Sequence, residues 1–327
     1  MRPSPVPASA PTQLTARCPE DVLALIPVVL GFVPDTSVVM LTFGAARPFH
    51  ARVDLPPTRD KIPELVASLL EPARLHRVRR AFFVVYSSDP RLSGAVTRAL
   101  VRSFEEVGVD VMDVLRADGE RWYAALGRPG VPARGVPYDV SAHPFVAQAV
   151  VDGRVTHGSR EELRSTMAGQ PAQVGRVVAA LAALTGDPPP VLDEGAWAAE
   201  LVGRHTRDAT APDDADLARL LRGMLELRVR DAAWSPMCRE GAPEAVRFWT
   251  DVVRRSPAPL LAAPAALLAF AAWLAGQGAV AWCALDRCAE ADDDYSLAGL
   301  VEHALTQALP PEAWDGDWDW RAGLDPG

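Results

Sequence analysis

Three polar residues, Ser87, Ser88 and Asp89, come directly after the apolar run 81–86. This run is rich in β-branched and aromatic residues, which predicts a central strand. Because ligands of open α/β sheets bind beyond the carboxyl ends of the strands, these side chains are candidates for a ligand site. The alternative is that Ser88 and Asp89 only cap the helix that begins near Leu92, since both residue types are preferred there.

Two further residues extend this candidate ligand site. Asp35 precedes the neighbouring predicted strand, so it converges with Ser88 and Asp89 only if the two strands are antiparallel or the turn folds over them. Arg160 follows Ser159 in a Ser-Arg-Glu-Glu pattern that predicts a capped helix, whose first N–H groups favour an anion. We therefore predict ligand-binding roles for Asp35, Ser88, Asp89 and Arg160.

The end of the chain, residues 312–327, mixes acidic residues with tryptophans and is called the acidic-aromatic tail below. Trp314, Trp318 and Trp320 follow two prolines and lie beyond the last periodic helix. Such a segment is a candidate partner-binding motif, because buried tryptophans dominate many interfaces. The alternatives are a disordered end or tryptophans folded back on the preceding helices.

Most enzyme and metal signatures are missing from the sequence. The single lysine, Lys61, is not in the Gly-Lys-Ser/Thr context of a P-loop, and no Gly-x-Ser-x-Gly elbow occurs. Gly276-Gln277-Gly278 follows a predicted helix, whereas a dinucleotide fingerprint requires a strand. The four cysteines are scattered, so they indicate reduced, mostly buried thiols rather than disulfides or a metal site. We assign no cofactor, no metal and no catalytic residue.

The charge distribution argues against nucleic acid as a partner. The net charge is −9, and nucleic-acid-binding domains are normally basic. One basic cluster, Arg74, His76, Arg77, Arg79 and Arg80, lacks interleaved aromatic residues. It lies between a predicted helix end and a predicted strand, where cations favour the helix C-terminus.

The first part of the chain alternates strand and helix patterns. Apolar runs at 37–43 and 81–86 predict buried strands, and the alternation in 49–55 predicts a strand with one wet face. Amphipathic helices are expected at 62–70 and 92–107. This order predicts a mixed sheet with helices packed on its faces.

Strand patterns disappear after about residue 142, and helical periodicity replaces them. The stretch 257–285 has no charged residue and is long enough to span a bilayer. However, 12 of its 29 residues are alanine and Gly276-Gln277-Gly278 divides it, so two antiparallel core helices explain it better. The last helical pair also resembles one tetratricopeptide hairpin, although a solenoid needs about three repeats.

Three motifs, in this order, support a resemblance to a known family. They are the turn and strand at 31–39, Gly-Ser-Arg-Glu-Glu-Leu at 158–163, and Trp-Leu-Ala-Gly-Gln-Gly-Ala at 273–279 with Tyr-Ser-Leu-Ala at 295–298. The chain resembles the actinobacterial family called domain of unknown function 4192 over residues 14–314. The resemblance implies a high-GC bacterial origin and a cytoplasmic setting, and it brings no catalytic residues.

Together these patterns predict a flexible arm (1–16), an α/β domain (17–140), an all-helical domain (141–311) and the acidic-aromatic tail (312–327). The function favoured by the sequence is that of a non-catalytic cytoplasmic adaptor or regulatory protein with a macromolecular, protein partner and no membrane segment. The alternative is a small-molecule-binding protein or hydrolase that uses the crevice at the strand ends. The oligomeric state is not predicted.

Overall fold

The computed structural model describes residues 15–45, 49–314, 316 and 318–324, which form two compact units. The first unit comprises the residues up to 41, 52–66 and 80–157, and the second comprises 42–51, 67–79 and 158 onwards. The predicted arm lies almost entirely outside the described residues. The predicted domain boundaries, at 141 and 312, stay predictions about independent folding.

A mixed six-stranded sheet with helices on its faces forms in the N-terminal part, as the sequence predicts. Its strands are β1 (Ser37–Phe43), β2 (His50–Asp54), β3 (Arg80–Tyr86), β4 (Asp110–Ala117), β5 (Arg121–Ala124) and β6 (Val136–Pro137). Their order in the sheet is β2-β1-β3-β4-β5-β6. β3 is parallel to β4, whereas β5 is antiparallel to both β4 and β6.

The position of each strand in the sheet follows from its residue pattern. β1 and β3 are almost entirely buried, since strands covered on both faces need continuous apolar runs. β2 is partly exposed and lies at an edge. The Leu55 amide donates to the Thr36 carbonyl at 2.9 Å and the Phe49 amide donates to Thr42 Oγ1 at 3.0 Å, so β2 returns along β1.

Among the described residues before 158, four α-helices accompany the sheet. They are α1 (Pro19–Leu30), α2 (Ile62–Leu75), α3 (Pro90–Glu105) and α4 (Pro144–Val151). The apolar residues of α1, including Leu23 and Ile26, pack against Val84, Leu115 and Trp122 of the sheet. This core covers one face of the central strands and brings the start of α1 into the same apolar cluster as the last residue of β3.

The second part of the chain is helical, as predicted. Its helices are α5 (Arg160–Ser165), α6 (Pro171–Ala183), α7 (Val191–Asp208), α8 (Asp214–Gly223), α9 (Leu227–Trp234), α10 (Ala242–Arg255), α11 (Ala262–Leu274), α12 (Gly278–Ala289) and α13 (Ser296–Thr306). The predicted cap forms at α5, where Ser159 Oγ accepts the Glu162 amide at 3.0 Å. At α8, Asp213 Oδ1 accepts the Asp216 amide at 2.8 Å.

The apolar stretch 257–285 forms the packed helices α11 and α12. Every residue from Pro264 to Leu274 in α11 is buried, which explains why this segment lacks a charged face. Gly276 has a φ of +69°, so it ends α11 in a backbone conformation that favours glycine. Within the described residues, no helix has the length and apolarity that crossing a membrane requires. A tetratricopeptide-like hairpin is not confirmed.

The described tryptophans of the acidic-aromatic tail pack on the helices of the second unit. Trp314 stacks on Trp234 of α9 with ring centroids 5.1 Å apart, and Trp318 also contacts Trp234. Trp320 is only 3% exposed and lies against Gly195 of α7. The alternative of tryptophans folded back on the preceding helices describes these contacts, with Trp320 buried and Trp314 and Trp318 partly exposed. Their predicted partner-binding role stays a prediction.

Candidate functional site

The carboxyl edge of β3 and β4 carries several polar side chains that hydrogen-bond to one another and to the backbone. In the β3–β4 ladder Tyr86 is opposite Ala117 and Val85 is opposite Arg116. Because side chains alternate between the faces of a sheet, Tyr86 and Arg116 leave the same edge on opposite faces. The Ser87 amide continues the ladder by donating to the Ala117 carbonyl at 2.8 Å.

The predicted site residues after β3 form a helix cap. Asp89 Oδ1 accepts the amides of Arg91 and Leu92 at 2.7 and 3.2 Å, so Asp89 is the N-cap of α3. These hydrogen bonds, together with the charges of Arg59 and Arg91, lower the pKa of Asp89 below its ordinary value. The carboxylate of Asp89 thus occupies the helix N-terminus that an anionic ligand would otherwise use. Ser88 is exposed.

The other two predicted residues have separate local partners. Asp35 Oδ1 accepts the Thr36 amide at 2.8 Å before β1, and no hydrogen bond within the described residues joins Asp35 to Ser88 or Asp89. Arg160 belongs to the second unit, where Nη2 donates to Asp286 Oδ2 at 2.8 Å. A shared ligand site for Asp35, Ser88, Asp89 and Arg160 stays a prediction.

Asp118, which the sequence analysis missed, is the centre of the hydrogen bonding at this edge. It follows β4, and its Oδ1 accepts the amides of Glu120 and Arg121 at 3.2 and 2.8 Å. Its Oδ2 accepts the Tyr123 hydroxyl at 2.8 Å. Burial alone would raise the pKa of Asp118, but these hydrogen bonds and the charge of Arg116 lower it, so this carboxylate is ionised at neutral pH.

Arg116 lies beside Asp118 with its side chain 12% exposed. Its guanidinium carbon is 3.5 Å from the centroid of the Tyr123 ring, a cation–π stack. Nη1 donates to the Ser87 carbonyl at 3.1 Å and is 3.7 Å from Asp118 Oδ2. The stack and these contacts hold the guanidinium in one orientation at the strand ends.

Two tyrosines complete the edge on the face that α1 covers. Tyr86 is 6% exposed, and its buried hydroxyl has no hydrogen-bond partner within the described residues. Burial and the neighbouring Tyr138 raise the pKa of Tyr86, while burial and the charge of Asp118 raise the pKa of Tyr138. Both hydroxyls are therefore neutral at physiological pH and able to donate a hydrogen bond.

The start of α1 brings carboxylates and a histidine to the same unit. The Trp122 indole N–H donates to Glu20 Oε1 at 2.9 Å. His143 Nδ1 accepts the Phe145 amide at 3.2 Å, so Nε2 carries the proton and donates to Asp21 Oδ1 at 3.1 Å. Because both ring nitrogens are engaged, this Asp–His pair has no nitrogen left to act as a general base in this arrangement.

Neither thiol nor metal chemistry is supported at this site. Cys18, which precedes α1, is exposed rather than buried as expected. Desolvation and the neighbouring Glu20 still raise the pKa of its thiol, so it is not activated as a nucleophile. Within the described ranges, no group of three or more His, Cys, Asp or Glu side chains is placed to hold a metal ion. The chemistry that the edge offers is hydrogen bonding and charge recognition.

A turn signal could have led to the missed residues. Asp118-Gly119 lies between two strand patterns, which is a strong hairpin signal. That turn places the last residue of β4 and the first residue of β5 at the same edge of the sheet as the residues after β3. The unpartnered state of the Tyr86 hydroxyl has no sequence signal, because it depends on which distant side chains approach the ring.

Comparisons with known proteins agree with the sequence motifs. A family model described as Domain of unknown function (DUF4192) matches residues 19–312, which is most of the chain. The comparisons found no match among curated proteins and none among solved structures. The model match covers the sheet, the carboxyl edge and the helical region, and on this evidence the chain belongs to the family of domain of unknown function DUF4192.

Proposed function

We propose that the first unit binds a small polar molecule at the carboxyl edge of β3 and β4. The observation that carries this proposal is the Tyr86 hydroxyl, which is buried at the end of β3 without a partner in the described chain. Leaving a buried polar group unpaired costs about 1–3 kcal/mol, so a ligand or a water molecule is expected to pair with it. The position also agrees with the general rule for ligands of open α/β sheets.

The surrounding groups favour a ligand as that partner. The charge of Asp118 raises the pKa of Tyr138, and Tyr138 in turn raises the pKa of Tyr86. Nη1 of Arg116 is 3.7 Å from Oδ2 of Asp118. Polar groups held next to an apolar cluster are typical of small-molecule sites. The cluster here includes Trp122 and the start of α1.

The adaptor role that the sequence favours stays an untested prediction. Its main support was the acidic-aromatic tail. Packing of Trp314, Trp318 and Trp320 on α7 and α9 explains the apolar content of that tail without a partner. We therefore prefer the small-molecule alternative, and we propose binding alone, since both nitrogens of His143 are engaged.

A melting-temperature screen of the full chain against a library of small polar metabolites tests the proposal. A ligand at 100 times its Kd stabilises a protein by about 2.7 kcal/mol, which is readily detected. We expect compounds that stabilise the natural protein and stabilise Tyr86→Phe much less. Tyr295→Phe is the matched control, because it removes a hydroxyl in the second unit, where Tyr295 accepts from Arg230.

Two results would contradict the proposal. One is a screen in which no compound raises the melting temperature. The other is a set of active compounds that stabilise Tyr86→Phe as much as the natural protein, which would indicate that water alone pairs with the Tyr86 hydroxyl.

A further inference from the structure

The guanidinium of Arg116 has an unused edge. Its described hydrogen bonding runs through Nη1, which donates to the Ser87 carbonyl and faces Asp118. Neither Nε nor Nη2 has a hydrogen-bond partner within residues 15–45, 49–314, 316 and 318–324. These two groups form the pair of parallel N–H donors with which arginine binds carboxylate and phosphate in a bidentate manner.

The orientation of this edge is fixed before any ligand binds. The Tyr123 ring stacks on the guanidinium at 3.5 Å, and the Tyr123 hydroxyl is itself held by Asp118. An arginine restrained in this way loses little side-chain entropy when it binds an anion. The arrangement therefore differs from a free surface arginine, whose long side chain is mobile.

Further positive charge lies around the β3–α3 connection. Arg59 Nη2 donates to the Arg91 carbonyl at 3.2 Å, and both guanidinium charges act on Asp89. Arg91 lies in the first turn of α3, where a cation is unfavourable because the helix dipole is positive there. An anion bound nearby would offset that repulsion.

The carboxylates at the edge do not compete for the open side of Arg116. Asp89 Oδ1 is engaged by two amides of α3. Asp118 accepts two amides and the Tyr123 hydroxyl, and it faces Nη1 rather than Nη2. The groups of Arg116 and Tyr86 without a partner in the described chain are donors: Nε and Nη2 of Arg116 and the Tyr86 hydroxyl.

We propose that the ligand of this site carries an anionic oxygen group, a carboxylate or a phosphate, that binds the open edge of Arg116. This proposal rests on the proposed function and narrows it to one ligand class. At the carboxyl edge, the Tyr86 side chain lies on the opposite face of the sheet from the Arg116 side chain. The ligand would therefore extend across the edge and place a second polar group against the Tyr86 hydroxyl.

Isothermal titration of the full chain with inorganic phosphate and with malonate, at constant ionic strength, tests the ligand class and separates its two sources. We expect at least one of these anions to bind the natural protein with a Kd of about 1 mM or tighter. Arg116→Gln should weaken that binding by at least about tenfold, and Arg116→Lys should weaken it less, because only the bidentate geometry is lost.

Arg98→Gln is the control, since it removes the same charge from an exposed position farther along α3. It should change the Kd by less than about twofold, because exposed charges are largely screened by salt. If Arg116→Gln does not fold, Arg116→Lys, which keeps the charge, replaces it and should weaken binding by at least about threefold, because the bidentate geometry is lost.

Absence of binding by both anions would overturn the anionic class, as would equal binding by the natural protein and Arg116→Gln. The proposed function has a separate readout. Neutral or cationic library compounds that require the Tyr86 hydroxyl would support a ligand site while refuting an anionic ligand. If no library compound and neither anion binds, both proposals fail together.

Discussion

Arg255 illustrates how single arginines are accommodated in the helical core. Its side chain is 8% exposed and its guanidinium donates to the Pro212 carbonyl, to Asp251 and to Asp214, at 2.7–2.8 Å. Guanidinium suits this role because its five N–H groups reach several acceptors at once. The ion pairs join α8 to α10.

Replacing Arg255 with methionine should lower the free energy of unfolding by about 3 kcal/mol, because Asp214 and Asp251 would lose the positive charge that pairs with them. Arg247→Met is the control on the same helix. Arg247 is 64% exposed and pairs with Glu244, so its loss should change stability by less than about 1 kcal/mol. Urea unfolding measures both, and equal effects would contradict the role assigned to Arg255.

The same pair predicts a pH dependence. The hydrogen bond from Arg255 lowers the pKa of Asp214 below its ordinary value of 3.8, against the opposing effect of burial and with help from Arg176. A carboxyl group whose pKa is lower in the folded state than in the unfolded state stabilises the fold at pH values above its unfolded pKa. This stabilisation is lost as the pH falls through the pKa of the folded state. The stability difference between the natural protein and Arg255→Met should therefore shrink below about pH 4.

Unfolding midpoints measured from pH 7 down to pH 3 check this expectation. A difference that stays constant over the whole range would show that protonation of Asp214 does not break the ion pair.

At the scale of elements, the acidic-aromatic tail behaves as part of the helical unit. Trp314 lies between Trp234 and Phe270, and the Trp273 indole N–H donates to the Leu309 carbonyl at 3.0 Å. These contacts involve α9, α11 and the segment after α13. Composition could not predict them, because an acidic segment with tryptophans fits both a docking motif and a folded end.

Removing the residues after Ala313 should lower the melting temperature substantially. Deleting one buried tryptophan side chain costs about 3–5 kcal/mol. This truncation removes the buried Trp320 together with the partly exposed Trp314 and Trp318. Calorimetry of the full and truncated chains measures the effect. A truncated chain that melts within a degree or two of the full chain would mean that the rings contribute little to the core.

Gly195 of α7 provides a test of where Trp320 docks. A Cβ atom at residue 195 would lie 2.5 Å from Trp320 Cη2 and Cζ3, so Gly195→Ala should destabilise the protein by about 1–3 kcal/mol. Gly175→Ala in α6 meets nothing within 4 Å and should instead stabilise by up to about 1 kcal/mol. If Gly195→Ala is still destabilising in a Trp320→Ala background, the clash is not with Trp320.

At the scale of the whole molecule, the elements were more predictable than the site. Hydrophobic periodicity alone predicts β1, β3, α3 and the α11–α12 pair, because burial imposes a period on each. The short β6, only Val136–Pro137, carries too little pattern to be recognised. The compact units also could not be predicted, since residues 42–51 and 67–79 belong with the later helices.

For the candidate site, the sequence predicts a position at the strand ends but not most of the residues that form it. The rule for strand ends in open sheets leads to the residues after β3, and the capping alternative for Asp89 describes its observed bonds. The contacts among Arg116, Asp118 and Tyr123 depend on the pairing of β4 with β5, which brings together residues from the two sides of a turn. Pairing of this kind is set by tertiary packing and not by local propensity.

Amide hydrogen exchange, with and without a compound that stabilises the natural protein, tests the central claim of a ligand site at the carboxyl edge most directly. We predict slower exchange in segments 86–92 and 116–138, with no such change in Tyr86→Phe. Protection confined to residues 158–324, or equal protection of the edge in Tyr86→Phe, would contradict the site.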